Sequence, residues 1–540
     1  LKKTRMGLSA VAVVGTAALV LTGCASGSGD DSSSSGDASA IIKTNGTEPE
    51  NPLVPSNTTE TGGGRIVTSI FAGLVSYNAD GTTKNEVAES IESDDATVWT
   101  VTLKDGWKFT DGTDVTSESF TKAWNWAASF DNVANSSGSS FFENFKGYSD
   151  TAQSDLDLTV ESPTEFTVTL NTPEADFPLR LGYSAYSPLP ESFYADPAAF
   201  GENPVGNGPY MLDGEGAWTH NQGIKLKTNP DYDGNRKPKN GGLDINFYTS
   251  LDSAYADVQG GNLDVLDQIG PAAFQTYQSD FPDTNVNQPA AVFQGMTIPQ
   301  YLAHFGDDEE GNLRRQAISM SINRDDVTKV IFQGTRTPAK DFTSPVIPGY
   351  TDKLEGESVL SFDADKAKDL WDQADAISPY GDTTFTIGYN SDGGHQEWVD
   401  AVTANISKTL GIKAEGKPYP TFAEFRTDAS GGAMTGAFRS GWQADYPSLY
   451  NFLYPTMATD GSSNDGKYSN PEFDSLLAEG SAASDVDDAN ASYQKAQEVL
   501  LKDLPIIPLW YANVNGVWAD TVSNVEYGWD SVPIYENITK

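Results

Sequence analysis

The chain is 540 residues long, more than one hydrophobic core usually sustains, so two or three lobes are expected. Its 38% hydrophobic and 20% charged residues are those of an ordinary globular protein, but 76 Asp and Glu stand against 34 Lys and Arg. The formal net charge of -42 repels phosphate backbones, which argues against nucleic acid as a partner, and otherwise reads as a solvated acidic surface.

The chain opens with LKKTRMGLSAVAVVGTAALVLTGC, residues 1–24. A basic start (Lys2, Lys3, Arg5) leads into an apolar run of about fifteen residues, short for a membrane span but right for a secretory signal. The ending Leu21-Thr22-Gly23-Cys24 resembles a bacterial lipobox, which implies a signal peptide over 1–23 and diacylation of Cys24. A buried free Cys after a core helix is the alternative. Cys24 is the sole cysteine, so neither a disulfide within the chain nor a thiolate metal site can form. Residues 24–40 are almost all Ser, Gly, Asp and Ala and should be a flexible tether.

From residue 41 short strands and helices interleave. In VWTVTLKDGWKFTDGT, Trp99, Val101 and Leu103 alternate with Thr100 and Thr102, the pattern of a strand with one buried face, and Lys104-Asp105-Gly106 turns the chain. VTSESFTKAWNWAASF predicts a helix capped by Thr116 or Ser117, with Phe120, Ala123, Trp124 and Ala127 on one side. EFTVTLNTP predicts another alternating strand, ended by Asn171 and Pro173. LRRQAISMSINRDDVTKVIFQG and ANASYQKAQEVLLKDLP read as helical; the second carries Tyr493, Ala496, Leu500 and Leu504 on one stripe and is closed by Pro505. The class is α/β, with no internal repeat of fixed period.

Enzyme signals are sparse. The three histidines, His220, His304 and His395, are far apart, and no His-Glu-x-x-His, Gly-x-Ser-x-Gly or Walker motif occurs. GNGPYM (206–211) has Pro209 where a phosphate-binding helix would begin and reads as a structural turn. NPDYDG (229–234) brushes the calcium-loop pattern but has Asn240 where the bidentate Glu should stand. Carboxylates are too plentiful for one pair to be singled out as a glycosidase dyad.

One stretch stands apart: RSGWQADYPSLYNFLYP, 439–455, sets Asp445 among rings in apolar surroundings, with Arg439 six positions before it. Lining an apolar cleft, an ionised Asp445 would be costly until a cation paired with it, and a ligand ammonium would serve. Trp442 or Tyr446 would then add apolar area and cation–π attraction of about 0.5–2 kcal/mol. The alternative, as strong from composition alone, makes Asp445 a cap or turn residue ahead of Pro447 and the rings core.

The order of NGTEPENPLVPSN, IFAGLVSYNADG, WTVTLKDGWKFTDGTDVTSESFTKAW, VGNGPYML, NPDYDGNRKPKNGGLDINF, LRRQAISMSINRDDV, RSGWQADYPSLYNFL and DLPIIPLWY resembles that of the bacterial extracellular solute-binding proteins serving ABC importers of oligopeptides and dipeptides. The resemblance runs from about residue 41 to the C-terminus. It implies that Asp445, the acid of the Trp-x-Ala-Asp-Tyr motif, pairs with a peptide's α-ammonium. By the same resemblance Trp442 walls a side-chain pocket and Arg439 meets a peptide carboxylate, unless it serves a structural ion pair. YPTFAEFR supplies a further pocket ring, Tyr419, and a second Arg, Arg426, its placement loosened by the following SGGAM. YNSDGGH implies a C-terminal contact from His395, against the alternative of an exposed loop, and Glu48 falls where relatives contact the ligand near the first strand.

The fold so implied is a two-lobed periplasmic-binding-protein type II fold with an inserted extra subdomain. Lobe I takes 41–60, 203–289 and 512–540, the insert 61–202, and lobe II 290–511. The implied function is capture of peptides in the interlobe cleft by hinge closure and delivery to an ABC permease and its ATPase. The binder is expected to be a monomer on the extracellular face of the membrane, lipid-anchored at Cys24, without cofactor, metal or chemistry of its own. An oligosaccharide or metal chelate as ligand on the same fold is the runner-up, and a secreted hydrolase a remote third.

Overall fold

The computed structural model describes residues 37–58 and 60–540; the expected signal peptide, Cys24 and most of the tether lie outside the described residues. The largest sheet runs in the order Lys413–Tyr419, Thr384–Asn390, Ala437–Gln443, Asn285–Thr297, Ile506–Trp518, Val265–Leu266, Ile41–Gly46, Gly242–Phe247, Gly223–Thr228, Tyr210–Leu212. At one end Thr384–Asn390 pairs in parallel with both its neighbours; at the other Ile41–Gly46 does the same.

Two long antiparallel strands, Asn285–Thr297 and Ile506–Trp518, join these ends. Their ladder runs from Asn285 opposite Val517 to Pro289 opposite Asn513, breaks, and resumes with Phe293 opposite Tyr511. Pro289 has no N–H to donate, and the extra residues between it and Phe293 bend the ribbon where the two halves meet.

Each half has its own core. One gathers Phe293, Ile318, Trp371, Val399, Phe452, Leu500 and Trp510; the other gathers Ile42, Val67, Phe120, Trp124, Phe166, Leu243 and Ile245. The antiparallel sheet of Ala88–Glu92, Val98–Leu103, Glu165–Thr169 and Leu158–Ser162 turns Trp99, Val101 and Leu103 into the second core, as their alternation predicts. Helices Thr61–Ile70 and Ser117–Ala128 and this sheet thus share the core that holds Ile42, while Ala175 joins the other core. Trp124, fully buried on helix Ser117–Ala128, donates its indole N–H to the Tyr186 carbonyl at 3.0 Å, and Ser119 accepts from the Thr116 N–H at the helix start.

Local chemistry explains the remaining boundaries. The stretch after Leu313 is two helices, Glu309–Ser321 and Arg324–Val330, because Asn323 accepts from the Asp326 N–H at 3.1 Å and starts the second. Helix Val486–Asp503 begins at the Asp485 cap and stops where Leu504 turns left-handed (φ 44°) ahead of Pro505. In GNGPYM, Asn207 exchanges two 3.0 Å hydrogen bonds with the Ala72 backbone, and a Cβ at Gly206 would lie 1.9 Å from the Ile70 carbonyl oxygen. Asn229 of NPDYDG likewise bonds backbone, to Gly208 and Asp231.

Candidate functional site

Strand Ala437–Gln443 places Arg439 opposite Met296 and Trp442 opposite Phe293, then ends as the Ala444 N–H donates to Ala291. Three residues later Pro447 turns the chain and Ser448, not Asp445, caps helix Leu449–Met457. Asn451 in the first turn of that helix, 4% exposed, reaches back over the turn. Its amide oxygen accepts from the Asp445 N–H at 2.9 Å and from Trp442 Nε1 at 3.3 Å, and its Nδ2 donates to Asp445 Oδ2 at 3.2 Å. The helix start thereby fixes where the carboxylate points.

Asp445 opens on a cavity of about 480 Å³. One wall is Gln443, Ala444 and Asp445 of the half built around Asn285–Thr297; the others come from residues 60–86, 182–187, 236 and 528–536. The site therefore lies between the two halves. Its rings are Tyr77, Tyr183 and Trp529, with Tyr77 and Trp529 edge-on at 5.4 Å. Burial pushes the Asp445 carboxyl above the usual carboxylate range, with the Asn451 donor and the Arg180 guanidinium opposing the shift. No ion pair to Asp445 occurs among the described residues.

The two arginines of this cavity are held by the protein. Arg65 pairs with Asp267 at 2.5 Å, and Arg236 donates to Glu86 at 3.2 Å and to the Thr68 and Phe71 carbonyls. Asp530 and Glu536 also line the cavity. Burial raises both carboxyls above their ordinary values; Arg65 opposes the shift at Asp530, and Arg236 opposes it at Glu536, where Glu86 and Asp530 add to it.

Trp442, Arg439 and Arg426 line a different cavity, about 300 Å³, made wholly of the half built around Asn285–Thr297, with Phe293, Phe422, Phe425 and Ile506. There Arg426 is ion-paired with Asp465, and Arg439 donates to Asn390 at 3.0 Å beneath the rings of Phe422 and Phe425. Asn451 thus couples two recesses: it grips Trp442 at one and Asp445 at the other.

The remaining expected contacts lie elsewhere. Tyr446 is 5% exposed and turns its ring to Arg180, 5.5 Å away, at the contact with residues 174–186. Tyr419, 9% exposed, packs with Phe425, Met434 and Phe438 and donates to Asp428 at 3.0 Å; burial pushes its phenol up to about 12. His395 precedes helix Gln396–Leu410 and accepts from Trp398 Nε1 at 3.1 Å. Glu48 lies against His220 at 2.7 Å and accepts from the Asn221 N–H; its hydrogen bond raises the imidazole pKa, burial opposes the shift, and Glu202 on the other ring nitrogen adds to it. The sequence does not single out Tyr77, Tyr183, Trp529, Asp530 or Asn451 as site residues; only Trp529-Asp530, an acid beside a ring, carries a signal like that of the Asp445 stretch.

Near Tyr446, residues 174–186 make a direct polar contact with the other half. Asp176 accepts from the Ser448 hydroxyl, and the Ala175 N–H donates to Ser481 at 2.8 Å. Arg180 is gripped by both oxygens of Glu174, at 2.7 and 2.9 Å. No cluster of three His, Cys, Asp or Glu side chains fit to hold a metal occurs among the described residues, and no helix among them is long and apolar enough to cross a membrane.

Residues 82–464 match the family described as "Bacterial extracellular solute-binding proteins, family 5 Middle". The chain is 28% identical over 501 residues to the periplasmic oligopeptide-binding protein OppA of Salmonella typhimurium, covering 88% of this chain and 87% of the relative. Among solved structures, the unliganded open form of the periplasmic murein tripeptide binding protein MppA aligns with a TM-score of 0.81 at 21% identity, covering 93% of this chain and 97% of that one. The Haemophilus influenzae OppA complex with RPPGFSPFR aligns at 0.67 and 22% identity, covering 93% and 99%. The fold is the two-lobed type II binding-protein fold, with the long strands 285–297 and 506–518 joining its lobes.

Proposed function

This chain belongs to family 5 of the bacterial extracellular solute-binding proteins, a family of binding proteins rather than enzymes, and from that premise we propose that its solute is a peptide held by its free amino terminus at Asp445. The observation that carries the reading is the Asp445 carboxylate itself: it faces an interlobe, ring-walled cavity, is raised by burial, and has no cationic side chain in ion-pair contact among the described residues. A ligand ammonium supplies the missing charge. Closing the lobes strips water from that pair and strengthens it, while Tyr77 and Tyr183, half-buried on the cavity wall, offer faces for the ligand. The names of the relatives, which bind oligopeptides or a murein tripeptide, support a peptide over a sugar or chelate.

The bend near Pro289 in the two joining strands is where the lobes would hinge, with lobe I over 41–60, 203–289 and 512–540, the insert over 61–202 and lobe II over 290–511. Extended peptide backbone offers the same hydrogen-bonding groups whatever the side chains, so the cleft can accept many sequences. The closed form then docks on a permease whose ATPase drives import. A diacylated Cys24 keeps the binder close to it, because a single acyl chain holds a protein at a membrane only marginally. Mass spectrometry of the protein purified without denaturation tests the ligand class. A peptide mass released on unfolding is the expected result; a released glycan or chelate refutes it.

A further inference from the structure

We propose that the interlobe cavity takes a long, cationic first side chain, so that the preferred guest is a peptide headed by lysine or arginine whose side-chain charge is received by Asp530 and Glu536. The inference rests on the reading of Asp445 as partner of the α-ammonium.

The charge inventory of the cavity leads to it. Both cations in its lining are committed: Arg65 is pinned by Asp267 and also donates to the Asn45 carbonyl, and Arg236 spends its donors on Glu86 and two backbone carbonyls. Of the acids, Glu86 is neutralised by Arg236, and Glu60 caps helix Thr61–Ile70 by accepting from the Gly63 N–H at 2.9 Å. Asp445 is reserved for the amino terminus. Asp530 and Glu536 are left over. Neither has an ion-pair partner among the described residues, Asp530 accepting only backbone N–H groups, including that of Val532 at 3.0 Å. Glu536 is half-buried, and the charges of Glu86 and Asp530 add to the upward push that burial gives its carboxyl, against the pull of Arg236. Two acids on the wall of one cavity, neither in an ion pair, leave a place there for a ligand's cation.

Shape supplies the length. Glu536, Arg236, Tyr77 and Ile534 line the Asp445 cavity and also a neighbouring recess of about 460 Å³, so the space beside Asp445 continues past the Tyr77 ring. Asp530 follows Trp529, whose ring meets Tyr77 edge-on, and is itself exposed at the cavity wall. An alkyl stem can lie along the half-buried Tyr77 ring while its charged head reaches the carboxylates, the usual division of labour in lysine and arginine. A short or acidic first side chain would leave the pair unanswered or repel it.

Calorimetry of the whole protein with alanine-based tri-, tetra- and pentapeptides headed by lysine, norleucine or glutamate tests this. Norleucine keeps the stem and deletes the ammonium. The lysine-headed peptide is expected to bind at least about ten-fold more tightly than its norleucine counterpart, and the glutamate-headed one most weakly. That lysine-to-norleucine ratio should fall to within about two-fold in the D530N/E536Q double variant, whereas Asp445→Asn should weaken both peptides and preserve the ratio. A wild-type ratio near one, or a ratio that survives the double variant, overturns the inference. N-acetylation separates the two readings: an acetylation penalty without lysine preference overturns this one alone, and no acetylation penalty removes the Asp445 reading together with it.

Discussion

Asn451→Ala probes the geometry of the site without touching a ligand-facing group. The Asn451 side chain makes three hydrogen bonds: from the Asp445 N–H at 2.9 Å, from Trp442 Nε1 at 3.3 Å, and to Asp445 Oδ2 at 3.2 Å. A neutral hydrogen bond is worth about 0.5–1.5 kcal/mol net and one to a carboxylate about 1.5–3, while the abandoned Asp445 N–H loses its acceptor. Discounting for the half-exposed Trp442 and Asp445, the loss should be about 2–4 kcal/mol, felt in the lobe that carries helix Leu449–Met457. Urea unfolding followed by tryptophan fluorescence should show an earlier transition for that lobe. The Asp445 carboxyl, deprived of the donor that lowers its pKa, should titrate higher still. The preference for a free over an N-acetylated peptide should shrink accordingly, because the carboxylate is no longer held in place. A variant that unfolds like the parent and keeps the same preference would refute the positioning role of Asn451.

Two further outcomes follow from the same geometry. Because burial holds the Asp445 pKa above the ordinary carboxylate value of about 3.9, peptide affinity should be full at neutral pH and fall as pH drops through that raised value; Asp445→Asn should flatten this profile in calorimetry across pH 4–8, and a profile unchanged by the substitution would contradict it. Asp176, buried beside Glu174, also has a raised carboxyl pKa, with the Ser448 donor opposing the shift. For an acid raised on folding, the cost is absent below the unfolded pKa and grows as pH rises towards the folded one, so Asp176→Asn should match the parent near pH 4 and be at least as stable at pH 7 in urea titrations; equal destabilisation at both would contradict this.

Local pattern carried some of this structure and distance hid the rest. The alternation of Trp99, Val101 and Leu103 gave a strand face because burial in a sheet has period two, and Leu504-Pro505 marked a helix end because proline cannot continue one. Asp445 was legible as an acid out of place among rings. Which rings face it was not: Trp442, three residues away, opens on another recess, whereas Tyr77 and Trp529 arrive from chain segments hundreds of residues apart. Composition likewise cannot distinguish a ring that lines a cleft from one packed in a core, and the structure gives Tyr419 and Tyr446 packed surroundings. The commitment of Arg65 and Arg236 to Asp267 and Glu86 is visible only in three dimensions, and it is what leaves Asp530 and Glu536 in excess.

The most direct measurement compares one peptide with its N-acetylated form, by calorimetry, on the parent and on Asp445→Asn. If the half-buried Asp445 carboxylate awaits a ligand's amino terminus, acetylation should weaken binding to the parent at least about ten-fold, and Asp445→Asn should cost the free peptide as much while adding little to the loss for the blocked one. Equal affinity of the parent for free and blocked peptide would show that Asp445 does not hold the guest by its charge.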